Sequence, residues 1–279
     1  MPEGGILAIF AHPDDETFGV GATVARYADR GVPVTMVSAT RGEVGEISPG
    51  TGATPETLAD YREQELRDAM TILGVSDVRF LGFRDSGMKG TAENEHPDAL
   101  MNAAADDVVE AMVRLIRETR PRIVVTWDES GGYGHPDHIA VHFHAKEAFS
   151  AAADASRYAG AGAAWQANAL YYTAIPMQEF GRLMQEMQES GIMEPNVAQE
   201  EGIDDLPRVE PNCVIDVRDQ FERKERAMVA HRTQISDMNP FMKLPVASRL
   251  RFFGREWFHR AHPPVADGVM LDDLFAGLE

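Results

Sequence analysis

The chain has 279 residues, 44% of them hydrophobic and 25% charged, a composition able to build one sizeable α/β core. Its net charge of −19 argues against nucleic acid and anionic membrane surfaces as main partners, because both require basic patches. The single cysteine, Cys213, excludes an intramolecular disulfide, and neither a basic leader nor an apolar run of membrane length is visible, so a cytoplasmic protein is expected.

The first apolar run, residues 6–10, predicts a buried strand. It leads into Ala11-His12-Pro13-Asp14-Asp15-Glu16, which crowds one imidazole and three carboxylates into a turn. Acids packed this tightly repel one another and are costly to desolvate, and a cation would remove that cost. Residues 18–30 predict a helix with Val20, Val24 and Tyr27 on one side, stopped by Gly31. A second strand is predicted at 33–39, followed by a polar loop to Thr54. A helix starting at Thr54-Pro55 then runs to Leu73, before Gly74. Residues 78–81 predict a third strand, 82–97 a loop, 98–119 a helix and 121–127 a fourth strand. The loop 128–136 leads into a helix over 137–152.

Strand and helix thus alternate through the first 150 residues, the pattern of a mostly parallel, Rossmann-like α/β sheet with helices on both faces. Ligands in such folds sit beyond the carboxyl ends of the strands. The loops 11–17, 40–54, 82–97 and 128–136 all fall there. Further on, 151–164 reads as a loop, 169–174 as a strand, 177–190 as a Met-rich helix and 194–211 as an acidic, exposed excursion. A last strand is predicted at 212–217 and a helix at 220–235. The aromatics Phe252, Phe253, Trp257 and Phe258 are expected to pack onto the same domain. The expectation is one domain over 1–279, with a core at 1–150 and a variable insertion and C-terminal part at 151–279.

The second chemistry-bearing cluster is Gly131-Gly132-Tyr133-Gly134-His135-Pro136-Asp137-His138, after the fourth strand. In a doubly wound sheet it can meet the first cluster in space. Two histidines and one carboxylate would make three protein ligands and leave a position for water, as in catalytic zinc sites. In a tight turn Asp14 and Asp15 cannot both be ordinary ligands, since neighbouring side chains usually point apart. One would bind metal and the other would face the water as general base; spacing leaves open which.

Together, Ala11 to Glu16 and His135 to His138 resemble the LmbE/PIG-L-like zinc deacetylases, which remove acyl groups from amino-sugar amides. Thr40-Arg41-Gly42-Glu43, Tyr61-Arg62 with Glu65-Leu66, Arg84 to Met88 and Ala230 to Gln234 resemble the branch that handles mycothiol. That branch contains a deacetylase of mycothiol synthesis and a mycothiol S-conjugate amidase. The resemblance covers residues 5–150, touches 220–240 and is absent over 155–210. It implies His12, Asp15 and His138 as ligands of Zn2+ (or Fe2+), Asp14 as general base and His135 as the histidine that stabilises or protonates the reacting amide. It implies Tyr133 as a mobile tyrosine that polarises the carbonyl, and Arg62, Asp85 and Glu43 as substrate-binding residues. Gly19 and Val20 stand where some members carry a polar residue.

The expected function is hydrolysis of an N-acyl, chiefly acetyl, group from an N-acetylglucosamine-containing small-molecule conjugate. The alternatives are an S-conjugate amidase, a non-haem iron oxygenase with a 2-His-1-carboxylate triad, and a non-catalytic sugar-binding module. A homo-oligomer is left open.

Several of these residues also carry structural readings. Arg62 can pair with Glu65 on a solvated helix face, and Asp85 can cap the turn before Gly87. His142 and His144 read as packing or as support for a ligand, His231 as a packed helix residue, and Met177, Met184 and Met187 as core. Gly19-Val20-Gly21 is rejected as a dinucleotide loop, because Asp14, Asp15 and Glu16 would repel a pyrophosphate there.

Overall fold

The computed structural model describes residues 4–194, 206–236 and 239–278. Strand β1 (Ile6–Phe10) is buried along its whole length between two parallel neighbours, β2 (Val34–Ser38) and β4 (Ile123–Thr126). Cover on both faces explains why these strands read as continuous apolar runs. Outside them lie β3 (Asp77–Phe80), parallel to β2, and β5 (Ala169–Thr173), parallel to β4. Beyond β5, β7 (Arg255–His262) runs antiparallel, and β6 (Cys213–Asp216) pairs antiparallel with β7. The order is β3-β2-β1-β4-β5-β7-β6.

The chain winds outward in opposite directions from β1 and β4. Right-handed crossovers therefore send the helices to opposite faces and open a crevice at the carboxyl ends of those two strands. On one face α4 (Ala105–Thr119) packs on α6 (Pro136–Ala152). The other face carries α2 (Gly21–Asp29), α3 (Leu58–Leu73) and α8 (Phe221–Ala230), packed on one another. The short helices α1 (Asp15–Gly19) and α5 (Gly131–Gly134) follow β1 and β4 directly. Helices α7 (Met177–Glu189) and α9 (Val246–Phe253) pack together beside this crevice. Among the described residues, no helix is long and apolar enough to cross a membrane.

Four expectations are corrected. The helix expected at 18–30 is two helices broken at Val20, whose φ of −145° leaves the helical region. There Glu256 accepts hydrogen bonds from the N–H groups of Ala22 and Thr23 at 2.9 and 2.7 Å, capping α2. The helix expected from Thr54 starts at Leu58, because residues 54–57 form a turn closed by Thr57. The helix expected from Asp98 starts at Ala105, after a 3-10 turn at Leu100–Asn102 that Asn102 ties to Asn94 and His96. The helix expected to reach 235 ends at Ala230. The aromatic tail packs onto the domain as expected, from α9 and from β7, an inner strand of the sheet. The excursion expected over 194–211 lies largely outside the described residues.

Candidate active site

The turn after β1 is built around two carboxylates with separate partners. Asp15 Oδ2 accepts from the backbone N–H groups of Ala11 (3.1 Å) and His12 (2.9 Å), which leaves Oδ1 facing into the crevice side of the turn. Glu16 Oε2 accepts from Asp14 N–H at 2.9 Å, and Oε1 meets His231 Nε2 at 2.7 Å. Part of the acidic crowding is therefore relieved by a histidine. Arg62 relieves more: its guanidinium donates to Pro13 O (2.7 Å) and Gly42 O (2.9 Å) and lies 3.3 Å from Asp14 Oδ1.

The segment after β4 is fixed from within. Asp128 accepts from Ser130 Oγ and Gly132 N–H at 2.8 and 2.9 Å, and Arg208 donates to Gly132 O at 3.0 Å. His135 caps α6, its Nδ1 accepting from Asp137 N–H at 3.1 Å, with Pro136 at the first helical position. One turn into α6, His138 is fully buried against the Trp127 ring, 4.4 Å away and nearly parallel.

The two segments meet as expected. His12 Nδ1 lies 3.1 Å from His138 Nε2 and 3.8 Å from Asp15 Oδ2, and His138 Nε2 lies 3.3 Å from Asp15 Oδ1. The far ring atoms are engaged elsewhere: His12 Nε2 with Asp137 Oδ2 (3.1 Å) and Asp85 Oδ1 (3.4 Å), His138 Nδ1 with Gly131 O (2.9 Å). When both rings are neutral, donation to those oxygens puts the protons on the far nitrogens, and the facing nitrogens then present two lone pairs to each other and to Asp15 Oδ1. Such an arrangement repels unless a cation occupies it. A tetrahedral metal with arms of about 2.1 Å has ligand–ligand edges of about 3.4 Å, close to the 3.1 Å between the two histidine nitrogens and the 3.3 Å from His138 to Asp15 Oδ1, although the donor atoms that group tightly enough for an ion are those of His12 with His135 and His138, without Asp15. His135 lies close enough to His12 and His138 to join an ion-holding group, and so do Asp85 and Asp137 with His12 and His135.

The electrostatics follow from burial and crowding. Burial opposes charge on His12, yet Asp137, Asp85 and Asp15 outweigh it and hold its pKa well above the usual value. Burial also raises Asp15, but His138 and His12 more than reverse it, leaving it far below the usual carboxylate range. Asp14 is pushed up to about 6, by burial and the neighbouring Asp15 against the pull of Arg62. Burial, with His12 and His138 beside it, depresses His135 to about 3. A neutral His135 that accepts at Nδ1 carries its proton on Nε2.

Of the expected substrate residues, Asp85 is buried, with Oδ1 accepting from Gly87 N–H at 2.8 Å and lying near His12. The turn-cap role is therefore present. Arg62 forms no solvated pair with Glu65: both are buried, and Glu65 instead accepts from Thr233 N–H (2.9 Å) and Oγ1 (2.6 Å). Glu43 has a buried Oε2 without a hydrogen-bond partner. Tyr133 is 42% exposed, its ring 4.9 Å from that of His138. Its neighbours Gly132 (φ +75°) and Gly134 (φ +91°) hold left-handed conformations that side chains resist. Asp14, Asp15, Trp127 and Tyr133 border a cavity of ≈ 490 Å³. Val20 is buried and Gly19 stands in the cavity wall, 3.0 Å from Thr173 Cγ2 for any added Cβ. Met187 is core, Met184 is half-buried and Met177 is exposed, which corrects the reading of all three as core.

Two partners escaped the sequence reading. Asp137 is fully buried, accepts from Ser86 N–H at 2.9 Å and from Ser86 Oγ, and orients His12. Its signal lay in the His135-to-His138 run, where it sits between two candidate ligands. His231, read as helix packing, ends α8 as the partner of Glu16. No local signal marks it, since 215 residues separate the pair. His142, read as packing or as support for a ligand, donates from Nδ1 to Trp127 O (2.8 Å) and so supports the residue stacked on His138.

Comparison with known proteins adds an independent line. Residues 7–149 match the family described as PIG-L, GlcNAc-PI de-N-acetylase. The chain is 41% identical, over 99% of its own length and of the relative's, to a 1D-myo-inositol 2-acetamido-2-deoxy-alpha-D-glucopyranoside deacetylase of Geodermatophilus obscurus. The fold is shared with an N,N'-diacetylchitobiose deacetylase of Pyrococcus horikoshii (TM-score 0.66, 20% identity, covering 92% of this chain and 83% of that one). It is shared equally with a 4-carboxy-2-hydroxymuconate hydratase of Pseudomonas putida (TM-score 0.66, 18% identity, covering 95% and 99%). The scaffold alone therefore does not choose the reaction.

Proposed function

Because this chain belongs to the PIG-L, or GlcNAc-PI de-N-acetylase, family, we propose that it hydrolyses the acetamide of 1D-myo-inositol 2-acetamido-2-deoxy-alpha-D-glucopyranoside, with zinc held by His12, Asp15 and His138. The observation that carries the reading is the meeting of His12 Nδ1, His138 Nε2 and Asp15 Oδ1 beside a separate carboxylate, Asp14. When bound, zinc would polarise the carbonyl and lower the pKa of a coordinated water to about 7.

The protein's own residues manage the protons. Asp14 takes one from the attacking water as its oxygen bonds to the carbonyl carbon, with Arg62 holding the carboxylate in place. Negative charge then develops on the carbonyl oxygen. In this reading the Tyr133 hydroxyl and the His135 Nε2–H donate to it. The carbon–nitrogen bond breaks as the proton held by Asp14 passes to the leaving amine, yielding acetate and the free amino sugar. Arg62, Asp85 and Glu43 would grip sugar and inositol hydroxyls.

The test is acetate release from this glycoside by zinc-loaded protein, with metal analysis of the same sample. One equivalent of zinc and stoichiometric free amine are expected. No amine release from any N-acyl amino sugar would overturn the hydrolase reading in favour of a binding module. Iron with oxygen consumption would overturn it in favour of the oxygenase that the same donor set suits.

A further inference from the structure

The cavity beside Asp14 and Tyr133 is far larger than an acetyl group requires. A methyl group needs about the space of one water, roughly 30 Å³, whereas this cavity measures ≈ 490 Å³. Cavities of about 300–1,000 Å³ enclose drug-sized ligands. Its wall is largely apolar and includes Phe18, Ile175, Phe180, Met184, Met187 and Phe241. Three of these come from α7, in the stretch where the family resemblance is absent. Unbranched methionines adapt their shape to a flexible apolar guest. Away from Asp14 and Asp15, the charged groups of the wall have partners of their own: Lys224 Nζ lies 2.7 Å from Glu256 Oε1 and 2.9 Å from Phe18 O, Asp128 accepts from Ser130 and Gly132, and Arg208 donates to Gly132 O, while Arg255 is exposed.

The scissile amide has two substituents. The polyhydroxylated amine half needs hydrogen-bonding partners and is costly to place against an apolar wall. The acyl half has no such need. Asp14 and Tyr133, the base and the carbonyl donor of the proposed reaction, both border the cavity, so in that reading one end of it adjoins the reacting acyl carbon. We propose that this cavity is an acyl-chain subsite and that the enzyme takes amino-sugar amides whose N-acyl group is a longer apolar chain. The proposal rests on the amide-hydrolase reading and extends its acyl side beyond acetyl.

Gly19 bears on the same point. A side chain there would meet Thr173, and the glycine keeps this part of the wall open. Each additional methylene buried in the cavity raises kcat/KM by up to about fourfold, chiefly through KM.

The experiment is a chain-length series, acetyl to butanoyl, hexanoyl and octanoyl, on the glucosaminyl-inositol amine, assayed with zinc-loaded full-length protein. The quantity read is the ratio of kcat/KM for hexanoyl to that for acetyl. The expected ratio is at least about tenfold, and Met184→Trp, which fills the cavity, brings it down by an order of magnitude or more. A ratio within one enzyme is not moved by a general loss of activity. Hydrolysis of acetyl with a ratio at or below one overturns the subsite, and so does a high ratio that Met184→Trp leaves unchanged. No hydrolysis of any member, acetyl included, instead overturns the hydrolase reading on which the subsite rests.

Discussion

Asp14 holds a φ of +117°, a region that L-residues other than asparagine and glycine rarely occupy. Such strain costs about 1–3 kcal/mol and persists only where neighbours over-determine it. Here Glu16 accepts its N–H, and Arg62 binds both its carboxylate and the carbonyl of Pro13. The division between Asp14 and Asp15 follows: Asp15 turns back over its own backbone toward the histidines, while Asp14 is twisted toward Arg62 and the cavity. The identity of the residues was legible in the sequence, and their unequal roles came from resemblance. The backbone twist that separates them was not legible, because it depends on Arg62 and His231 arriving from distant segments. Asp137 is the residue-scale test. Asp137→Asn keeps the shape but weakens the acceptor that fixes the His12 tautomer, and metal affinity should fall about 10- to 100-fold. Competition with a chromophoric chelator measures it, and wild-type affinity would remove Asp137 from the site.

At the scale of elements, β1 and β4 were legible because buried parallel strands are continuous apolar runs. Strand β7 was not, for an equally physical reason. Its inward positions include Glu256 and Arg260, both buried, so the alternation expected of a strand is erased. Glu256 is there to cap α2 and to pair with Lys224, contacts that exist only once the fold is complete. The helix boundaries at Val20, Ala105 and Ala230 were missed similarly, each being set by a side chain from elsewhere or by the turn before it. The α5 segment carries the element-scale prediction. An added Cβ at Gly132 would stand 3.1 Å from the Trp127 ring, at a φ of +75°. Gly132→Ala should misplace Tyr133 and lower kcat by about 10- to 100-fold while metal content stays at the wild-type level. Unchanged kcat would show that Tyr133 needs no such freedom.

For the whole molecule, the doubly wound topology brings together two histidines separated by 126 residues, and the alternating pattern made that convergence predictable. Scaffold and charge also set the response to acid. The pKa of His142 is held below its ordinary value by burial and Lys146, against the Trp127 carbonyl and nearby acids. The unfolded chain therefore binds a proton there that the folded chain refuses, and stability is lost as pH falls through the unfolded value of about 6.5. His142→Gln removes up to one proton from that linkage, and the slope of unfolding free energy between pH 7 and 5 should flatten by up to about 1.4 kcal/mol per pH unit. Urea titrations at several pH values read this, and an unaltered slope would contradict it. The central claim is that metal binding and base catalysis reside on adjacent aspartates. Its most direct test is turnover of Asp14→Ala in a sample whose metal content is measured alongside. The account predicts full metal occupancy with amide hydrolysis reduced about 10²- to 10⁴-fold. Wild-type turnover, or activity lost only in proportion to lost metal, would contradict it.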